Sequence, residues 1–107
     1  MFGENFDLAE SKLLILYIFS RIKKPLANFE ITELVLSSTL MNYFSLQIYL
    51  RDMIKSKLII EEPNEDKVKL NIAKDGVLVL DLFSKRIPDN KKEAIDNYLQ
   101  GKYDISK

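Results

Sequence analysis

Cysteine, histidine and tryptophan are absent from this chain of 107 residues, and glycine and proline occur only three times each. Without cysteine there is no disulfide framework, no thiolate metal site and no cysteine nucleophile. Without histidine the chain lacks the commonest general base and the commonest metal ligand. The missing cysteine fits a reducing compartment such as the cytoplasm. We therefore expect a cytoplasmic protein that is not an enzyme, with no catalytic residues, no metal and no cofactor.

Long apolar runs and an excess of one charge are also missing. The longest uninterrupted apolar run, residues 13–19, has seven residues, whereas a membrane helix needs about 20. No small-residue cleavage site follows it, so it is not a secretory signal either, and we expect no membrane partner. Lysine and arginine number 16, as do aspartate and glutamate. Because the formal net charge is zero, any nucleic-acid binding must come from a local basic patch.

The composition predicts a folded chain of one domain's length. Hydrophobic residues make up 47% and charged residues 30% of the sequence, which is too apolar for a disordered segment. No repeat or flexible linker is present, and nothing marks a boundary before Pro88. We expect the main domain over residues 1–87, followed by a C-terminal helix and tail over residues 88–107.

Caps and apolar spacing indicate the first two helices. Asp7 with Glu10 forms an acidic capping box, and residues 13–22 are apolar on nearly all sides. This pattern predicts a helix at the centre of the core that ends before Pro25. Asn28 is the expected cap of a short second helix. The second helix buries one narrow stripe, formed by Ile31, Leu34, Val35 and Ser38.

A third helix is predicted from residue 42 to about residue 57. Asn42 is its expected cap, and Met41 and Leu46 have the spacing of a hydrophobic staple. At 100° per residue the helix has two distinct faces. The face expected to be buried contains Tyr43, Leu46, Leu50, Met53, Ile54 and Lys57. The face expected to be presented to the outside contains Phe44, Ser45, Ile48, Arg51, Asp52 and Lys55.

After the third helix the pattern changes to that of strands. Residues 67–72 alternate strictly between polar and apolar, and residues 58–62 form a short β-branched run. The four turn-forming residues 63–66 lie between them, which predicts a β-hairpin. Helical spacing returns over residues 74–87, and a last amphipathic helix is predicted over residues 91–99.

Three helices that lead into a two-stranded wing are typical of the winged helix-turn-helix. In that fold the third helix fits the major groove of DNA, about 12 Å wide, while the wing lies against the backbone. The predicted class is therefore α+β, mainly α: a winged helix-turn-helix of three helices plus a β-hairpin wing, with additional C-terminal helix or helices.

Core and cap residues spread over nearly the whole chain carry a family signature, namely Met1-Phe2-Gly3, Leu8-Ala9-Glu10, Lys12-Leu13-Leu14, Met41-Asn42-Tyr43-Phe44, Leu50, Leu58-Ile59, Phe83 and Arg86-Ile87-Pro88. In these residues the chain resembles an uncharacterised winged-helix family, a domain of unknown function in anaerobic Gram-positive bacteria, related to the PadR-like transcriptional regulators. The resemblance implies a winged-helix fold, a regulatory role and homodimerisation through the C-terminal helix.

The chain departs from that family in two places. Winged helices of this kind often have threonine as the cap after the second wing strand, where this sequence has Ala73. Losing such a cap costs about 1 kcal/mol unless Asn71 substitutes for it. Family members also continue into a further C-terminal segment, whereas this chain ends at Lys107. We therefore expect a minimal or truncated form.

The polar residues of the third helix suggest contacts with double-stranded DNA. Asparagine and glutamine pair with adenine, arginine pairs with guanine, and serine or tyrosine contacts phosphate oxygens. A solvated helix face would have the same composition. Phe44 and Ile48 fit either contacts with thymine methyl groups or a protein-binding patch. The candidate DNA-binding residues of this helix are Asn42, Tyr43, Ser45, Gln47, Arg51 and Lys55.

The wing is mostly acidic. Its four carboxylates repel phosphates at close range, so we expect the tip to stay away from DNA; they are Glu61, Glu62, Glu65 and Asp66. Lys67 and Lys69, on the outward face of the second strand, are the better phosphate contacts. A second basic cluster is interpreted as a solvated helix end; it contains Lys85, Arg86, Lys91 and Lys92.

The helix over residues 74–87 is apolar on both faces, which favours contact with a second subunit. Leu78 and Leu82 lie opposite its expected buried face, and Val79 lies beside them. A two-fold dimer matches palindromic operators. The alternative is contact with the first or last helix of the same chain.

Together these patterns favour a DNA-binding transcriptional regulator of the winged-helix type that acts as a homodimer. The alternative is a winged-helix protein-interaction module without DNA affinity, which would use Phe44, Ile48 and the acidic wing. The sequence identifies no small-molecule effector.

Overall fold

The computed structural model describes residues 8–103. Its elements are α1 (Leu8–Ile22), α2 (Asn28–Ser38), α3 (Tyr43–Lys55), β1 (Ile59–Asn64), β2 (Lys67–Ile72), α4 (Lys74–Phe83) and α5 (Asp89–Gln100). A single 3₁₀ turn, Ser84–Arg86, joins α4 to α5. Asp7, one half of the predicted capping box, lies outside the described residues. None of the helices within residues 8–103 has the length and apolar character needed to cross a membrane.

Helix α1 is the central element, as its apolar residues predict. Leu16, Ile18 and Phe19 are completely buried, and α2, α4, α5 and β2 all pack against this helix. Lys23 follows it with a left-handed backbone, φ 63°. That conformation turns the chain away from the helix axis just before Pro25.

The cap of α2 differs from the prediction. Ala27, not Asn28, is the N-cap residue, with φ −68° and ψ 157°. Glu30 lies three residues later and its Oε1 accepts the backbone N–H of Ala27 at 2.8 Å, which is one half of a capping box. Asn28 is instead the first helical residue. The predicted stripe is confirmed by Ile31, Leu34 and Val35, which are buried, while Ser38 is only half-buried.

The cap of α3 is confirmed. Asn42 Oδ1 accepts the backbone N–H of Ser45 at 2.9 Å, and the helix buries Leu46, Leu50 and Met53. Two residues that were expected on the buried face, Tyr43 and Lys57, are exposed. Tyr43 lies in the first turn, which projects beyond the core. Lys57 lies past the end of the helix and has a left-handed φ of 67°, because the chain reverses there into β1.

The hairpin is confirmed, but its turn is shorter than predicted. The strands pair antiparallel from Ile59 with Ile72 to Asn64 with Lys67, so Pro63 and Asn64 belong to β1. Only Glu65 and Asp66 form the turn, with Glu65 at φ 58°. A proline is tolerated in this strand because β1 is an edge strand.

Leu26 attaches the hairpin to the helices. It exchanges two backbone hydrogen bonds with Leu70 of β2, at 2.8 and 2.7 Å. This bridge gives the wing a third short strand-like partner and holds it next to the start of α2.

Helix α4 begins without a side-chain cap. Its N-cap residue is Ala73, and no side chain there accepts a hydrogen bond from the helix. Asn71 does not substitute, because its Oδ1 accepts the N–H of Ile72 at 2.9 Å. The helix also ends at Phe83 instead of Ile87, where the chain tightens into the 3₁₀ turn.

Helix α5 packs on the rest of its own chain. Ile95 and Leu99 are completely buried, and α5 lies against α1 and α2. Asp96 accepts hydrogen bonds from the hydroxyl of Tyr17 at 2.8 Å and from Arg21 Nε at 3.0 Å. Burial, together with the hydrogen bond to Asp96 and its charge, raises the pKa of Tyr17 to about 12. The order of helices, hairpin and later helices confirms the predicted winged-helix architecture.

Candidate nucleic-acid interface

Four side chains of the outward face of α3 are exposed on the surface of the described chain. Phe44 is 77% exposed and Ile48 is 53% exposed, and Arg51 and Lys55 are exposed one and two turns further along. The opposite side of the helix belongs to the hydrophobic core through Leu46, Leu50 and Met53. A helix that is packed against the core on one side and exposed on the other has the shape needed to enter the major groove of DNA.

Arg51 and Lys55 are the charged residues of this face that remain available. Neither forms an ion pair with any residue in the range 8–103. Asp52, between them in sequence, lies 3.9 Å from Lys12 Nζ, so its negative charge is partly offset by α1. The two cations lie four residues apart, on successive turns of one helical face.

Three predicted residues lie at the N-terminal end of α3. The side-chain oxygen of Asn42 serves as the helix cap, whereas its amide nitrogen remains for an outside acceptor. Tyr43 is exposed and its ring packs edge-on against Phe44, with centroids 5.5 Å apart. Ser45 is half-buried. Bidentate pairing with adenine uses both the oxygen and the nitrogen of the amide, so the capping oxygen of Asn42 would have to accept a second hydrogen bond.

Gln47 belongs to a network between α2 and α3. Its Nε2 donates to Thr32 Oγ1 at 2.9 Å, and its Oε1 accepts from Asn28 Nδ2 at 3.1 Å. Thr32 also donates to Asn28 Oδ1 at 3.1 Å. Since both polar ends of Gln47 have partners, the arrangement favours a role in setting the angle between the two helices over direct reading of a base.

Sequence reasoning did not identify Thr32 and Asn28 as parts of this arrangement. Their spacing of four residues on one helix is a weak local signal. The partner on the other helix, Gln47, becomes evident only when α2 and α3 are placed together in space.

The wing presents few available cations. Lys67 is exposed, and Lys69 is half-buried opposite Glu62 in the register of the hairpin. Glu62 also accepts a hydrogen bond from Asn71 at 3.3 Å. Glu61, Glu65 and Asp66 are exposed. The described carboxylates nowhere form a group that could hold a metal ion.

Comparison with known proteins identifies the family. Residues 11–107 match DUF4364, a domain of unknown function. This chain belongs to the DUF4364 family. The resemblance indicated by the sequence is therefore confirmed for the family. No curated protein matches the chain.

The DUF4364 chain is also similar in structure to a PadR family transcription regulator from hypervirulent Clostridium difficile R20291, known from a crystal structure. The TM-score is 0.55 at 19% sequence identity, and the match covers 80% of this chain and 97% of the other. At this identity the likeness establishes a shared fold. It supports the winged-helix architecture.

The apolar residues predicted for a dimer interface of the DUF4364 chain differ in their surroundings. Leu78 is 56% and Leu82 is 67% exposed on α4. Val79 is half-buried and packs against the core, where it lines a small cleft with Leu13 and Leu16 of α1. Leu78 and Leu82 are therefore available to a second subunit, while Val79 already has partners within its own chain.

Proposed function

We propose that this DUF4364 protein is a transcription regulator that binds double-stranded DNA through α3. The observation that supports this most directly is the outward face of α3, where Arg51 and Lys55 are exposed with no ion pair to a described residue. The name of the structurally similar protein, a PadR family transcription regulator, supports the same class of function. We propose a non-catalytic role.

In this proposal α3 enters the major groove. Arg51 and Lys55 contact phosphates or guanine, while Tyr43, Ser45 and the amide nitrogen of Asn42 approach the backbone near the N-terminal end of the helix, where the helix dipole favours phosphate. Lys67 and Lys69 of the wing contribute only flanking phosphate contacts beside the groove, because the acidic tip is repelled by phosphates.

We propose further that two chains associate through α4. Helix α5 buries Ile95 and Leu99 against its own chain, so its apolar face is already covered. Leu78 and Leu82 of α4 remain exposed one turn apart. In an isologous contact these two residues would meet their counterparts on a second chain, while Val79 packs beside them against the core of its own chain. Such a contact gives the two-fold symmetry that palindromic operators require.

The DNA proposal is tested by a salt titration. Fluorescence anisotropy with a random duplex measures the affinity between about 50 and 200 mM salt. The double variant Arg51→Ala, Lys55→Ala should reduce the slope of log affinity against log salt by about 2, since each lost phosphate contact removes roughly 0.9. The double variant Lys85→Ala, Arg86→Ala removes the same two side-chain types from the exposed 3₁₀ turn and should leave the slope unchanged.

Two results would contradict the DNA proposal. One is a wild-type protein that shows no binding at the lowest salt concentration. The other is an equal loss of slope in both double variants, because this would indicate a general charge effect instead of contacts from α3.

The dimer is tested by sedimentation equilibrium. Leu78→Glu with Leu82→Glu should give the mass of one folded chain, because the two substitutions would place four carboxylates in the two-fold interface, and burying unpaired charges costs several kcal/mol. Phe29→Glu with Leu40→Glu alters two other exposed apolar residues and should retain the dimer mass. An unchanged mass for the folded α4 variant would overturn the α4 interface.

A second candidate function is a protein-interaction module without DNA affinity. The exposed pair Phe44 and Ile48 on α3 favours it, because neighbouring exposed apolar side chains are typical of protein-binding patches. The zero net charge and the acidic wing tip favour it as well. A folded wild-type protein that does not bind DNA at low salt would support this candidate.

A further inference from the structure

The outward face of α3 has an apolar half and a cationic half. Four exposed side chains lie on it within an arc of roughly 60°, at about 100° of rotation per residue; they are Phe44, Ile48, Arg51 and Lys55. The apolar pair lies in the first two turns of the helix, and the cations follow in the later turns. The ring of Phe44 packs edge-on against Tyr43, with centroids 5.5 Å apart, which limits the orientations that the ring can adopt.

The apolar pair lies where a recognition helix meets the bases. In helix-turn-helix proteins the N-terminal residues of the recognition helix contact base edges in the major groove. Phe44 and Ile48 occupy that part of α3, and they are 77% and 53% exposed. With α3 in the groove, these two side chains therefore face the edges of the base pairs, while Arg51 and Lys55 lie further along the helix.

Two amide side chains of the same region already have partners within the protein. Gln47 donates to Thr32 and accepts from Asn28, and the oxygen of Asn42 caps the helix. Asparagine and glutamine are the residues that pair with adenine, so these hydrogen bonds limit amide readout at this end of α3. The centre of the outward face is formed there by the apolar pair, and its contacts with bases are mainly apolar.

The charge of the same face indicates what covers the apolar pair. Arg51 and Lys55 are exposed and form no ion pair with a residue in the range 8–103. Two cations beside an apolar patch complement a ligand that carries anionic groups next to apolar ones. The major groove of DNA has this chemistry, because phosphates border it and the C5-methyl group of thymine is exposed in it.

We propose that Phe44 and Ile48 contact thymine methyl groups, so that the protein prefers duplexes with 5-methylpyrimidines in the major groove. This inference rests on the proposed function, because it places α3 in that groove. It names the class of sequence that the site reads: thymine is favoured over cytosine through its methyl group. The contact removes apolar surface of the methyl group and of both side chains from water.

The test uses four duplexes of equal length, in two matched pairs. One pair consists of alternating adenine and thymine, and the same duplex with uracil in place of thymine. The other consists of alternating guanine and cytosine, and the same duplex with 5-methylcytosine. Within each pair the base pairing is the same and the major-groove methyl group differs, so the comparison separates methyl contacts from the difference in shape between A·T and G·C sequences.

Fluorescence anisotropy at about 50 mM salt measures the four affinities. In both pairs the methylated duplex should bind more tightly by at least about fourfold, the contribution of one buried methyl group. Equal affinities within either pair would overturn the proposal.

The double variant Phe44→Ala, Ile48→Ala assigns the preference to these residues. It should bind the methylated and unmethylated duplexes equally, and it should retain the wild-type salt slope, because no cation is lost. Leu8→Ala with Phe29→Ala is the matched control, since these residues are 53% and 70% exposed on α1 and α2. The control should retain the methyl preference, and an equal loss in both double variants would overturn the assignment.

The cationic half of the face gives the opposite result. Arg51→Ala with Lys55→Ala should lower the salt slope and retain the methyl preference, because the methyl contacts come from the apolar half. A methyl preference that disappears with the cations and persists without Phe44 and Ile48 would overturn the proposal.

The remaining outcomes identify a different occupant or a different function. A wild-type protein that binds all four duplexes without methyl dependence overturns this inference alone and leaves the apolar pair to a protein partner. Sedimentation of the Phe44→Ala, Ile48→Ala variant as a single chain, when the wild type is a dimer, would identify a second copy as the occupant and overturn the inference. Absence of binding to any of the duplexes overturns the proposed function and this inference together, so the two failures are distinguishable.

Discussion

Replacement of Gly76 by alanine tests how closely α4 approaches the hairpin. By helix propensity alone the change should stabilise α4 by up to about 1 kcal/mol. A Cβ atom at this position, however, would lie 2.2 Å from the backbone oxygen of Leu58 and 2.9 Å from Ile72 Cγ1. The oxygen of Leu58 cannot move freely, because it accepts the backbone N–H of Ala73 at 2.9 Å.

The structure therefore predicts the opposite sign from propensity. Overpacking of this kind costs about 1–3 kcal/mol, and weakening the hydrogen bond between Ala73 and Leu58 adds about 1 kcal/mol. After the gain in propensity is subtracted, Gly76→Ala should lower the free energy of unfolding by about 2 kcal/mol. For a domain of this size that corresponds to a decrease in Tm of roughly 10 °C.

Urea unfolding followed by circular dichroism at 222 nm measures the effect. Gly101→Ala is the matched control: the added Cβ would lie 3.5 Å from the Tyr98 oxygen, an ordinary contact, and the backbone there is helical, with φ −76°. It should leave stability unchanged or raise it by up to about 1 kcal/mol. A Gly76→Ala protein as stable as the wild type would refute the close approach of α4 to the base of the hairpin, at Leu58 and Ile72.

Three further predictions concern other elements. Ala73→Ser should raise the free energy of unfolding by about 1 kcal/mol, because it supplies the missing side-chain cap of α4; no increase in urea unfolding would contradict this. Gln47→Ala should lower it by about 1 kcal/mol through loss of the network with Thr32, and should weaken DNA binding without changing the salt slope. A reduced slope would instead indicate direct contact of Gln47 with DNA. The pKa of Tyr17 is about 12 in the folded protein, against 10.0 for the free group. Its contribution to stability is therefore fully present below pH 10 and is lost as the pH rises toward 12. Tyr17→Phe should lack this alkaline loss of stability, and an identical decline in both proteins would contradict the assignment.

Local sequence signals predicted the order of the elements. Asn42 at a cap position, Leu46 and Leu50 at helical spacing, and the alternation in β2 depend on residues close together in the chain. Such signals need no knowledge of distant partners, so the winged-helix layout and the two faces of α3 were predictable.

The predictions from sequence were wrong where a neighbouring side chain or an unusual backbone conformation determines the local structure. Asn28 has the chemistry of a cap, but Glu30 stabilises Ala27 in that position. The wing turn is two residues long because Glu65 adopts a left-handed backbone, which glutamate rarely does. Neither the cap of α2 nor the length of the wing turn can be predicted from residue type alone.

By itself the sequence determined the fold class, the family, and a basic pair on the outer face of the third helix, because periodicity and residue type act locally. Only the tertiary structure decided that Gln47 joins two helices, that Val79 packs inward while Leu78 remains exposed, and that α5 is covered by its own chain. These outcomes depend on which surfaces meet when the helices pack, and packing is a property of elements far apart in the chain.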